Sequence, residues 1–231
     1  KEINEEVNKE ENEETYDYYM QKAYSYLNLT SICLSSQNLY KNFIDATLVD
    51  IISDEWKDLN ITEPFFDCLW STASSILSKE TTPLMKNLVN RAIQLIKEPF
   101  DSVRLCRICS IEMITDIIII DSSYIELISS SHIEDEIIKL ITRFPGHTFL
   151  ENTLNHFCLR ALENHDLQDQ YINAVILPLI EICNNEKETF LYRIITGFAF
   201  PIFQKILQSN QFKNDPDFIA KVKKLEGFEV F

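Results

Sequence analysis

The stretch SHIEDEIIKLITRFPGHTFLENTLNHFCLRALEN, Ser131 to Asn164, decides the fold: it spells two amphipathic helices hinged at Phe144-Pro145-Gly146. Ile133, Ile137, Ile138, Ile141 and Phe144 recur at three- and four-residue steps in the first half. Leu150, Leu154, Phe157, Cys158, Ala161 and Leu162 do the same in the second. Such spacing lays each set along one face of a 3.6-residue helix. Two apolar faces joined by a tight turn must bury each other and a further layer. Both starts carry an S/T-x-x-E pattern, Ser131 with Glu134 and Thr148 with Glu151. In that pattern hydroxyl and carboxylate satisfy amides that a helix start leaves unpaired, which predicts a capping box at each.

The same alternation of apolar stripe and polar turn extends in both directions. It predicts a helix over Tyr16–Leu27, one or two more over Thr30–Ile52, and another from Thr62-Glu63-Pro64 to Leu77. Thr82-Pro83 is expected to open the helix that ends near Ile96, because proline at the first helical position loses no hydrogen bond. The helix from about Phe100 to Ile120 is apolar nearly all round beyond Ile108, so it is expected to be central. Beyond the hairpin, Asp166 is the expected cap of a helix to Asn184 kinked at Pro178. A helix over Glu186–Gln208 and a short one from Asp215 follow. About ten helices at this spacing predict an all-α fold, an α-solenoid of HEAT or armadillo-like repeats, with a closed bundle as the rival arrangement. Residues 15–231 are expected to form one domain behind a frayed acidic segment, 1–14, which holds seven Glu and two Lys.

Composition narrows the function. The 231 residues are 45% apolar, enough for a sizeable core, yet include only three glycines, too few for β-rich folds or phosphate-cradling loops. A formal charge of −15 with scattered Lys and Arg opposes nucleic acid and anionic lipid as partners. The longest apolar block, Ile117–Ile120, is bracketed by Asp116 and Asp121, which excludes a membrane-spanning helix there. The opening KEINEEVNKEENEE lacks the regions of a signal peptide, and Cys33, Cys68, Cys106, Cys109, Cys158 and Cys183 sit among apolar residues at helical spacing. They are expected to be free core thiols of a cytoplasmic, and also nuclear, protein.

Catalytic chemistry finds little support. Cys106-x-x-Cys109 has the spacing of a redox or zinc pair, but no second pair follows and its helix is apolar. His132, His147, His156 and His165 form no H-E-x-x-H motif and are expected at the surface or at caps, so no metal and no cofactor is expected. There is no G-x-S-x-G elbow, and the acidic residues fall mostly on helix exteriors. A non-enzymatic binding protein is the expectation.

The block RFPGHTFLENTLNHF, Arg143 to Phe157, resembles a signature of the SAPS family, regulatory proteins that bind the catalytic subunit of protein phosphatase 6 and its fungal counterpart. Phe144, Pro145, Phe149, Leu150 and, loosely, Asn152 stand at the matching places. Arg104-Leu105 at the head of an apolar helix, and Gly197-Phe198, are similar to further family steps. Gly146, His147, Phe200 and Pro201 depart from the pattern, and no match extends before about residue 100. The resemblance implies a non-catalytic scaffold that holds a Ser/Thr phosphatase catalytic subunit, with those five residues as partner contacts. The alternative is another armadillo or HEAT-type adaptor, of the transport-receptor or GTPase-effector kind, whose acidic surface draws basic peptides.

Overall fold

A computed structural model describes residues 2–34, 36, 48, 49, 52, 63–99, 101–185, 189–208 and 216, and in the first helix the side chains from Tyr18 onward. The expected helix from Asp215, most of Thr30–Ile52, the Glu186 start and the Cys183 side chain lie outside these residues. Among the described residues every regular element is helical: α1 (Glu2–Leu34), α2 (Glu63–Ser75), α3 (Lys86–Lys97), α4 (Leu105–Ile120), α5 (Ile125–Ser131), α6 (Glu134–Arg143), α7 (Thr148–Glu163), α8 (His165–Tyr171), α9 (Leu177–Asn185) and α10 (Phe190–Gln208). No described helix is long and apolar enough to cross a membrane.

The contacts gather into two compact units, Lys1–Leu88 and Val89–Phe231. In the first, α1 runs through the acidic segment that was expected to fray, and packs on α2. Phe65, Leu69, Trp70 and Ala73 of α2 are buried, as their spacing predicts. Thr72 ties α2 inward by donating to the carbonyls of Cys68 (2.8 Å) and Leu27 (3.5 Å). After α2 the buried Thr81 hydroxyl donates to the Ile76 carbonyl at 2.7 Å and accepts from the Ser78 amide at 2.9 Å, closing the turn. Thr82-Pro83 then opens a single 3₁₀ turn, Thr82–Leu84, and α3 begins at Lys86 instead.

The second unit is layered around α4 and α7, which pack along each other; α7 also meets α6, α8 and α10. Ten of the sixteen residues of α4 are buried, among them Cys106, Cys109, Ile111, Met113, Ile114 and Ile117, so the central place expected for it holds. It starts at Leu105, later than the expected Phe100. Polar side chains are buried in this core too, Arg107, Ser110 and Thr115 of α4 among them. Arg107 is buried and donates to the Glu98 carbonyl just past the end of α3. That bond satisfies a carbonyl left open by the helix terminus, and burial lowers the guanidinium pKa.

Between α4 and α6 the chain forms a helix that the apolar spacing did not announce. Asp121 caps a 3₁₀ turn, Ser122–Tyr124, by accepting from the Ser123 amide at 3.0 Å, and α5 follows with Ile125 and Ile128 buried. Further on, α8 passes through one π-helical turn, Ile172–Ile176, into α9, so the irregularity expected at Pro178 begins a turn earlier.

Candidate functional site

The α6–α7 hairpin bends where the sequence places it. Phe144 ends α6, Gly146 takes φ +79°, a conformation that a Cβ would strain, and His147 precedes α7. His147 itself is the cap: its Nδ1 accepts from the Leu150 amide at 3.3 Å. Glu151 reaches back one residue further than a capping box requires, to the Gly146 amide at 2.9 Å. Thr148 is the first helical residue rather than the cap.

Of the five residues matched to the family block, the hairpin separates two kinds. Leu150 is fully buried and belongs to the core. Phe149, its neighbour, is 76% exposed, and Pro145 and Asn152 are also exposed. Phe144 is half-buried under the Arg143 guanidinium, 5.5 Å from its ring centre. Arg143 also bonds Asp101 at 3.2 Å, which sets the hairpin turn beside the start of α4. Leu105 at that start is 49% exposed, and Phe190, opening α10, is 72% exposed. Each long helix of this unit therefore has an exposed apolar side chain at its first or second residue.

Along the α4–α7 seam lies a polar strip that sequence reasoning missed. Glu112 and Asp116 stand one turn apart on α4 and face His156 and Arg160, one turn apart on α7; Arg160 Nε and His156 Nε2 are 3.3 Å apart. Burial raises both carboxyl pKa values. The charge of Asp116 pushes Glu112 higher, while His156 pulls both down and Arg160 lowers Asp116. Residue numbers on the two helices rise together across this strip, so α4 and α7 run parallel.

The other end of α6 holds the densest polar cluster. Ser131 does not cap α6: its hydroxyl donates to the Ile128 carbonyl at 2.6 Å, inside α5. α5 ends on His132 in the left-handed region, φ 53°, and Lys97 donates to the Ser131 carbonyl at 2.7 Å. Glu134 is only 2% exposed. Its Oε1 lies 3.1 Å from His132 Nδ1 and accepts from Gln170 Nε2 on α8. Gln170 in turn donates to the Ser129 carbonyl at 2.9 Å and accepts from the Ser129 hydroxyl at 2.8 Å. Glu134 Oε2 and the hydroxyl of the adjoining, buried Tyr171 have no hydrogen-bond partner. The Tyr171 pKa is driven well above its ordinary value by burial and then by the Glu134 charge. His132 and Ser129 also line an open cleft of about 560 Å³ with Ser122, Ser123, Glu126 and Asp166. His132 is exposed and at a cap, as expected, but it also lies beside a buried carboxylate, for which its neighbours Glu134 and Asp135 were the available signal.

The remaining candidates stay bland. Cys106, Cys109 and Cys158 are buried, Cys33 and Cys68 are half-buried, and burial raises the Cys158 pKa far out of the reactive range. His165 opens α8, and Asn164, not Asp166, is the cap, its side chain accepting from the Asp166 amide at 3.0 Å. Compared with known proteins, the chain matches no family model, no curated protein and no solved structure.

Proposed function

We propose that the second unit is an armadillo-type array serving as a non-catalytic scaffold, and that it holds a Ser/Thr phosphatase catalytic subunit of the protein phosphatase 6 class. The observation that carries the array is a period. The long helices α4, α7 and α10 begin at Leu105, Thr148 and Phe190, steps of 43 and 42 residues, and α4–α7 and α7–α10 are packed pairs. Between them stand two shorter helices each time, α5 with α6 and α8 with α9. Periods of about 40–47 residues built from two or three helices are those of HEAT and armadillo repeats. Stacked repeats bury a continuous core and present one repeated outer edge to a partner.

Near the start of each of these helices stands an exposed apolar side chain, Leu105, Phe149 and Phe190, at steps of 44 and 41 residues, and exposed apolar anchors of this kind supply most of the energy of protein interfaces. The phosphatase as occupant rests on the SAPS-like block, in which Phe144, Pro145 and Asn152 flank the middle anchor Phe149 in sequence, while Leu150 is buried in the core. Affinity capture of the full chain from its native cells, probed for phosphatase catalytic subunits, tests the reading. Phe149→Ala is expected to weaken capture about tenfold or more, an ordinary anchor effect, with folding unchanged. Capture that brings down no phosphatase refutes the partner. Binding of basic peptides that collapses with added salt and ignores Phe149 would favour the acidic adaptor instead, a reading that the net charge of −15 supports.

A further inference from the structure

We propose that His132, Glu134 and Asp135 form a binding site for a divalent transition-metal ion of the zinc class, fixing the junction of α5 and α6. One ligand atom from each of the three lies within 4.8 Å of the other two. Donors about 2.1 Å from a tetrahedral ion sit roughly 3.4 Å apart. His132 Nδ1 and Glu134 Oε1, 3.1 Å apart, are already near that spacing.

Counting hydrogens leads to the same place. Gln170 Nε2 has two, and three acceptors surround it: Glu134 Oε1, the Ser129 carbonyl at 2.9 Å and His132 Nδ1 at 3.2 Å. The two nearer acceptors take both hydrogens, so the His132 ring carries its own proton on Nδ1 toward Glu134 Oε1, and that is the position a bound cation would take over. Glu134 leaves more to satisfy. At 2% exposure it is almost wholly removed from water, yet Oε2 has no partner, and an unpaired buried carboxylate oxygen is costly. A cation bound by His132, Glu134 and the exposed Asp135 would replace the proton between His132 and Glu134 and offset the excess negative charge. Imidazole with two carboxylates suits zinc better than magnesium, which favours all-oxygen sets. Gln170 would then be the outer group that orients the Glu134 carboxylate, as metal ligands generally require. Three protein donors leave a fourth position for water. The inference is independent of the phosphatase reading.

The test is calorimetric titration of the metal-free full chain with zinc chloride, with magnesium chloride as control, together with the absorption spectrum of the cobalt(II) form. One saturable site per chain is expected with zinc and none with magnesium, and the cobalt spectrum should lack a sulfur-to-metal band. Asp135→Asn alters only an exposed side chain, so it should leave the circular dichroism unchanged while weakening zinc at least tenfold. His132→Ala should abolish the site, and Gln170→Ala should weaken it by about 10–100-fold. Zinc should also raise the melting temperature of the wild type and not of His132→Ala. The proposal is overturned by equal zinc affinity in wild type, Asp135→Asn and His132→Ala, by a thiolate band, or by no saturable binding in the micromolar range.

Discussion

Two helix starts in the second unit carry the same lettering and solve the same problem differently. At Thr148–Glu151 the solution is local: His147 and Glu151 accept from amides within five residues of themselves, and every group involved is at or near the surface. At Ser131–Glu134 the carboxylate abandons the cap and turns inward, to a glutamine 36 residues further along the chain. A capping box is worth no more than about 0.5–2 kcal/mol, so a tertiary partner can outbid it whenever folding brings one close. The pattern marks where a helix begins, and the fold decides what its carboxylate does.

Breaking the inward junction should cost most. Glu134→Ala removes the buried acceptor that Gln170 and His132 share, and urea denaturation should show a loss of about 2–3 kcal/mol, the scale of bonds to a buried charged group. Breaking the local junction should cost less. Glu151→Ala removes one surface acceptor, and the same measurement should show a loss of about 0.5–1 kcal/mol. If the two losses are equal, the distinction between the junctions fails.

A carboxylate with neither kind of support sharpens the contrast. Asp116 is half-buried, and desolvation outweighs the pull of His156 and Arg160, so its folded pKa lies above the unfolded one. The folded state then holds its proton more tightly, and stability falls as pH rises through the window between the two values. Asp116→Asn removes that loss. Its melting temperature at pH 7 should exceed that of the wild type by about 1–2 °C, with the gain gone near pH 4.

These contrasts explain what was legible in the sequence. Apolar period located the hairpin, its hinge at Phe144-Pro145-Gly146 and the central α4, because burial along a helix follows spacing alone. It missed α5, since seven residues with two buried isoleucines are too short to display a period. Nor could it locate the Glu112–Asp116 strip or the partner of Glu134, which exist only once α4 meets α7 and α6 meets α8. Proline at Thr82-Pro83 was read correctly as a start, but of a 3₁₀ turn, which uses the same first-turn chemistry.

The Ile172–Ile176 turn gives the chain a place to change length. A π turn holds one residue more than the α-helix needs, so losing the exposed Asn173 would close it to ordinary pitch while Tyr171 before it and Leu179 after it kept their inward aim. The same deletion within α7 would swing everything beyond it by about 100° and turn Phe157 and Leu162 out of the core. Drift in length is therefore cheap at one turn of this unit and ruinous at its centre.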